Sequence, residues 1–132
     1  MTWRQLREEI RSLAKKIDYR PDVIVGIVRG GLVPARLLSS ELNVKDMYSL
    51  TIKKIKDQRK VMSDILEDMQ GKHILLVEDM LETGNSLVAA KKYLEGRGAV
   101  VKTACLYVMP ISGYIPDFSL KEIQEIPIFP WE

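Results

Sequence analysis

Ile74-Leu75-Leu76-Val77-Glu78-Asp79-Met80-Leu81-Glu82-Thr83-Gly84-Asn85-Ser86-Leu87 is the segment from which the architecture of this chain can be read. Four apolar residues in a row, Ile74 to Val77, predict a strand buried on both faces, as in a parallel sheet. Glu78 and Asp79 follow where that strand should end. Thr83, Gly84, Asn85 and Ser86 then form a small, polar turn leading into an amphipathic segment. In an open α/β sheet, ligands bind beyond the carboxyl ends of the strands. A turn rich in glycine and hydroxyls, opening a helix, offers free N–H groups and a positive dipole end to a phosphate. Paired acids beside a phosphate cradle suit a sugar phosphate: the acids accept from ribose hydroxyls while the turn wraps the 5′-phosphate.

Outward from this segment the pattern repeats. Val23 to Val28 is a second β-branched run, and it leads into Arg29-Gly30-Gly31-Leu32-Val33-Pro34 and an apolar helix with Ala35, Leu37, Leu38 and Leu42. Glycines let the backbone approach a ligand, and Arg29 supplies a planar fork suited to phosphate oxygens. Taken alone, the same residues read as a plain Gly-Gly turn. Trp3, Leu6, Ile10, Leu13 and Ile17 recur at steps of three and four, so residues 2–17 read as a helix, with Thr2 and Gln5 placed to form a capping box. Asp46 to Ile52 and Ala99 to Val108 read as further strands. Between the last two lies a helix with Leu87, Ala90 and Leu94 on one side and a Lys91–Glu95 pair, ended by Gly96 and Gly98. A βαβ order with short βα turns predicts a parallel sheet with right-handed crossovers.

Bulk properties narrow the function classes. At 132 residues the chain fits one domain, with 46% hydrophobic and 29% charged residues, an ordinary balance for a globular protein. A formal net charge of +2 gives no case for nucleic acid or a membrane surface. The basic run of Lys53, Lys54, Lys56, Arg59 and Lys60 is followed directly by Asp64, Glu67 and Asp68, without interleaved aromatics, so it too makes no nucleic-acid patch. Cys105, the single cysteine, lies in an apolar run and is expected to be a buried thiol. Met1 to Arg11 is too charged for a signal peptide and no apolar run approaches the ~18 residues of a membrane span. The expected location is cytoplasmic.

The sequence of apolar run, Glu-Asp, two apolar residues, an acid, then Thr-Gly-x-Ser resembles the diphosphoribosyl-binding motif of type I phosphoribosyltransferases. Those enzymes join a nucleobase to 5-phosphoribosyl-1-diphosphate (PRPP) and release pyrophosphate. Arg29 to Pro34 is similar to the pyrophosphate loop of that family, especially of its purine (hypoxanthine/xanthine/guanine) salvage branch. Ile74 to Asp79 also resembles the first strand of a phospho-receiver domain. That fold needs ~100 residues or more beyond such a strand, far more than follow Asp79 here. Thr83 to Ser86 decides against it.

The resemblance implies an α/β fold with a mainly parallel sheet flanked by helices, in one domain over 1–132. It adds a flexible lid loop over about 53–70 and a hood over about 109–132, the latter holding four of the six prolines. The lid stretch otherwise reads as a solvated surface connection. By the same resemblance Glu78 and Asp79 take the ribose hydroxyls and a magnesium ion that PRPP brings. Glu82, Thr83, Gly84, Asn85 and Ser86 take the 5′-phosphate; Arg29 and Gly30 face the pyrophosphate. Glu82 stands where purine members carry an Asp that accepts the base proton, and it is one methylene longer. The base pocket departs further. Met109 replaces a lysine that contacts the exocyclic oxygen, and Ile126 an aromatic that stacks on the purine, so either the base differs or neighbours such as Phe129, Trp131 or Tyr107 compensate. The implied partners are PRPP and a nucleobase, in a homodimer. The alternative on the same fold is a regulatory protein that binds a phosphoribosyl ligand or nucleotide without turnover.

Overall fold

The computed structural model describes residues 1–132. Nine elements follow one another: α1 (Trp3–Lys16), β1 (Val23–Val28), α2 (Leu32–Glu41), β2 (Met47–Ile55), β3 (Gln58–Val61), β4 (His73–Leu81), α3 (Asn85–Gly96), β5 (Val100–Val108) and β6 (Phe118–Glu122). They build one six-stranded sheet in the order β3-β2-β1-β4-β5-β6. Every pairing is parallel except that of β2 with β3. Chain order runs outward from β1 through β2 on one side and from β4 through β5 on the other. The direction of winding therefore reverses between β1 and β4, and such a reversal opens a crevice at the strands' carboxyl ends. The two strands at the crevice, β1 and β4, are the two followed by the Arg29–Gly31 and Glu82–Ser86 turns.

The apolar run of β4 is buried on both faces. Ile74 and Leu76 enter one core cluster, with Leu87, Ala90 and Leu94 of α3. Leu75 and Val77 enter the other, with Leu6, Ile10 and Leu13 of α1 and Ala35 and Leu38 of α2. A continuous apolar strand is what this two-sided cover requires. Helix α1 starts at the capping box: Gln5 N–H donates to Thr2 Oγ1 at 3.1 Å and Thr2 N–H to Gln5 Oε1 at 2.7 Å. Cys105 is fully buried, and desolvation pushes its thiol pKa up to about 12, so it is inert.

The structure adds detail to the stretches expected as lid and hood. The stretch 53–70 is not a loop throughout. Strand β2 continues to Ile55, turns at Lys56 and Asp57 with φ of 50° and 63°, and returns as β3. Two positive-φ residues in a two-residue turn match the twist of the flanking strands. The remainder is irregular but anchored: Ile65 and Met69 are buried in the core, and Arg97, the C-cap of α3, holds Asp64 at 2.8 Å and the Glu67 carbonyl at 2.9 Å. The region 109–132 contains a strand, since β6 extends the sheet beside β5. No helix is long and apolar enough to cross a membrane.

Candidate functional site

Strand β4 delivers the acid pair to the crevice. Glu78 Oε1 accepts the Asp79 N–H at 3.2 Å, and Asp79 Oδ1 accepts the Met80 N–H at 2.7 Å. Burial raises the pKa of both carboxyls. For Glu78 the rise is large, and the charge of Asp79 adds to it. For Asp79 the N–H of Met80 works against desolvation, while the charge of Glu132 adds to the rise. Two desolvated acids side by side, with no cation of the protein paired to them, form a site that hydroxyl donors or a metal ion would relieve.

The turn after β1 reaches the same place from the neighbouring strand. Its Val28–Arg29 peptide is cis. Gly31 N–H donates to Ile27 O at 2.8 Å, and Leu32 N–H to Arg29 O at 3.1 Å. Gly30 has no room for a side chain, because the Asp79 carboxylate lies where a Cβ would be. The two sequence motifs therefore touch. Arg29 is exposed, its guanidinium free to meet a ligand.

The second turn, Glu82 to Ser86, leads from β4 into α3. Gly84 sits at the N-cap with φ of 86°, in the left-handed region, and no side chain caps the helix. The Asn85 N–H is satisfied by Thr83 Oγ1 at 3.3 Å, and the first helical bond is Val88 N–H to Gly84 O at 3.0 Å. The first-turn N–H groups beyond Asn85 stay available to an anion. A cleft of about 270 Å³ runs over this turn, lined by Glu78, Met80, Leu81, every residue from Glu82 to Leu87, and Arg59.

The structure thus brings Glu78 and Glu82 through Ser86 into one cleft, and sets Gly30 against Asp79, the neighbour of Glu78; Arg29, Gly30 and Asp79 do not line that cleft. The base-side residues are less gathered. Met109 is half-buried, its N–H tied to Leu81 O at 2.8 Å. Ile126 is 55% exposed. Phe129 is 2% exposed and lies between Tyr107 and Trp131, with ring centroids 6.0 and 4.5 Å away. Its placement is that of a core residue with no open face; half-buried Trp131 is the outer ring of the stack. Sequence reasoning missed one residue of the cleft: Arg59 is one basic residue in a run of five, and only the hairpin aims it there.

A buried acid pair and two glycine-bearing βα turns meet at the topological switch of an α/β sheet. A family model described as phosphoribosyl transferase domain matches residues 2–132, and the chain belongs to that family. Xanthine-guanine phosphoribosyltransferase of Idiomarina loihiensis is 31% identical over 144 residues, covering 100% of this chain and 85% of the relative. The enzyme of that name from Chromohalobacter salexigens is 33% identical over 137 residues, covering 100% and 82%. The crystal structure of a purine phosphoribosyltransferase from Pyrococcus horikoshii superposes with a TM-score of 0.93 at 34% identity, over 100% of this chain and 92% of that one.

Proposed function

We propose that the protein transfers the 5-phosphoribosyl group of PRPP to the ring nitrogen of a purine base, a 6-oxopurine by its relatives, and releases pyrophosphate. The observation that carries this reading is the single cleft in which Glu78, the Glu82–Ser86 turn and Arg59 converge. Similarity to xanthine-guanine and purine phosphoribosyltransferases along the whole chain supports the acceptor class. In the reaction the base nitrogen bonds to C1 of the ribose, the C1–oxygen bond to the diphosphate breaks, and the diphosphate leaves with that electron pair. The proton on the base nitrogen needs an acceptor, and Glu82, exposed at the start of the turn, would take it. Glu78 and Asp79 orient the ribose through its hydroxyls, and the turn fixes the 5′-phosphate. Arg29 and Arg59 place positive charge where the departing diphosphate accumulates negative charge.

Magnesium fits the donor set. No group of three or more metal-ligating side chains exists. The two carboxylates would hold a hard ion that takes its other ligands from diphosphate, ribose hydroxyls and water, the usual habit of magnesium. When bound, such an ion neutralises charge on the departing diphosphate.

A second reading draws on the base side. Met109 offers no hydrogen-bond donor to a purine oxygen, Ile126 is exposed and Phe129 is buried, which would suit a protein that binds a phosphoribosyl ligand or nucleotide without turnover. One experiment separates the two. The protein is incubated with PRPP, magnesium and, in turn, hypoxanthine, guanine, xanthine and adenine, and nucleotides are sought by mass spectrometry. Nucleotide formed with a 6-oxopurine is the expected result. PRPP bound tightly with no product from any base would make the protein a sensor.

A further inference from the structure

The connection from β5 to β6, Met109 to Asp117, lies along the site and laces onto it at two points. Met109 N–H donates to Leu81 O at 2.8 Å, and Gly113 N–H to Thr83 O at 3.0 Å. The second bond has a physical purpose. A turn that aims its N–H groups at an anion must send carbonyls the other way, and those carbonyls need donors behind the turn. Gly113 supplies one to Thr83. Just beyond it, Tyr114 closes over Gly84: a Cβ added there would lie 2.9 Å from Tyr114 Cβ and 3.2 Å from Ser112 Oγ. Only a residue without a side chain fits under Tyr114, and only such a residue holds a φ of 86° without strain.

Tyr114 is itself fixed from three directions. Its ring packs on the core cluster that includes Leu87 and Ala90 of α3. Its hydroxyl lies 3.2 Å from Thr103 Oγ1, which also donates to Asp117 Oδ2 at 3.1 Å. Lys91 Nζ lies 5.8 Å from the ring centroid. Lys91, spaced for a pair with Glu95, thus reaches toward the ring, on the helix that the phosphate turn opens. Behind the ring, Ser112 Oγ donates to Tyr114 O at 2.8 Å and stiffens the loop tip.

We infer that Tyr114, together with the Gly113 N–H, is a positioning residue that sets the shape of the 5′-phosphate turn without touching the ligand. The inference rests on the assignment of that turn proposed above. It makes the phosphate end of the site depend on a loop whose first residue, Met109, stands at the base end.

The test is calorimetric titration of the full chain, in magnesium, with PRPP and separately with inorganic pyrophosphate. Tyr114→Ala removes the ring and should weaken PRPP at least about tenfold, leaving pyrophosphate within about twofold. Tyr114→Phe keeps the packing and should hold PRPP within about threefold of the parent. Tyr114→Leu, which retains apolar bulk, serves if the alanine variant does not fold, and should lose PRPP about tenfold as well. The inference is overturned if the alanine or leucine variant binds PRPP within twofold of the parent, or if both ligands weaken equally. A parent that binds pyrophosphate but gains nothing from the phosphoribosyl part would overturn the reading of the turn, and this inference with it.

Discussion

The two βα turns of the candidate site are held in place by different means. The turn after β1 is gripped by the sheet. Gly31 N–H is bonded to Ile27 O at 2.8 Å, Gly31 O accepts from Ala35 at 2.9 Å, and a Cβ on Gly31 would meet the Val77 carbonyl and both the N and O of Ile27. These neighbours are backbone of β1, β4 and α2. The turn after β4 is held from outside the sheet by a loop from the other side of β5. One turn is therefore part of the core and the other is an attachment to it. Substitutions in the first should break the fold, and substitutions in the second should break binding.

The largest effect is expected at Gly31. A methyl group there can be accommodated only by parting β1 from β4, and overpacking of this kind costs up to about 3 kcal/mol. Gly31→Ala should lower the Tm by roughly 10 °C for a domain of this size. A Tm within about 2 °C of the parent, by thermal denaturation followed by circular dichroism, would show that the sheet yields there and remove the contrast.

Gly84→Ala comes next. A non-glycine residue in the left-handed region costs about 1–2 kcal/mol, and the new Cβ also presses on Tyr114, the more yielding neighbour. Stability should fall by less than at Gly31, while PRPP affinity should fall tenfold or more as the turn loses its shape. Parallel melting curves and titrations on both variants test this. If Gly84→Ala were the less stable of the two, the division between core turn and attached turn would be wrong.

How much of this could be read from the residues follows the same division. Strand β4 and its acids were legible because a strand covered on both faces has to be apolar throughout. The Thr2–Gln5 capping box was legible because its partners are three residues apart. The β2–β3 hairpin was hidden. Lys56-Asp57 lacks the glycine that usually marks such a turn, and the exposed edge strand Gln58-Arg59-Lys60-Val61 shows no apolar alternation. Arg59 in the cleft and Tyr114 on Gly84 are tertiary facts with no local signature. The tail shows the same limit. Of Ile126, Ile128 and Phe129, only the last turns inward, because Tyr107 and Trp131 provide rings on either side of it.

Glu78 stands between the turns and gives a smaller, pH-dependent effect. Its pKa in the folded chain is raised by burial and then by the charge of Asp79, from an ordinary value of about 4.3 when unfolded. Between those two values the folded chain binds more protons than the unfolded one. Stability should therefore fall as pH rises through that window. Glu78→Gln removes the titrating group, so its melting temperature should exceed the parent's at pH 8 and converge with it near pH 4. PRPP affinity should drop all the same. A variant less stable than the parent at pH 8 would mean that the charged carboxylate is not a burden in the free protein.

The smallest stability effect is expected at Glu82, and it isolates chemistry from scaffolding. Glu82 is exposed and takes part in no side-chain hydrogen bond or ion pair of the protein. Glu82→Gln should leave stability within about 0.5 kcal/mol, as surface changes of this kind do. As proton acceptor, however, its loss should lower kcat by about a hundredfold, in line with general-base catalysis, with KM for PRPP little changed. Glu82→Asp tests the extra methylene by itself: if reach is what limits the site, the shorter acid changes kcat while the melting curve stays put. An unchanged kcat in Glu82→Gln would move the proton to another acceptor and leave Glu82 as part of the phosphate turn alone.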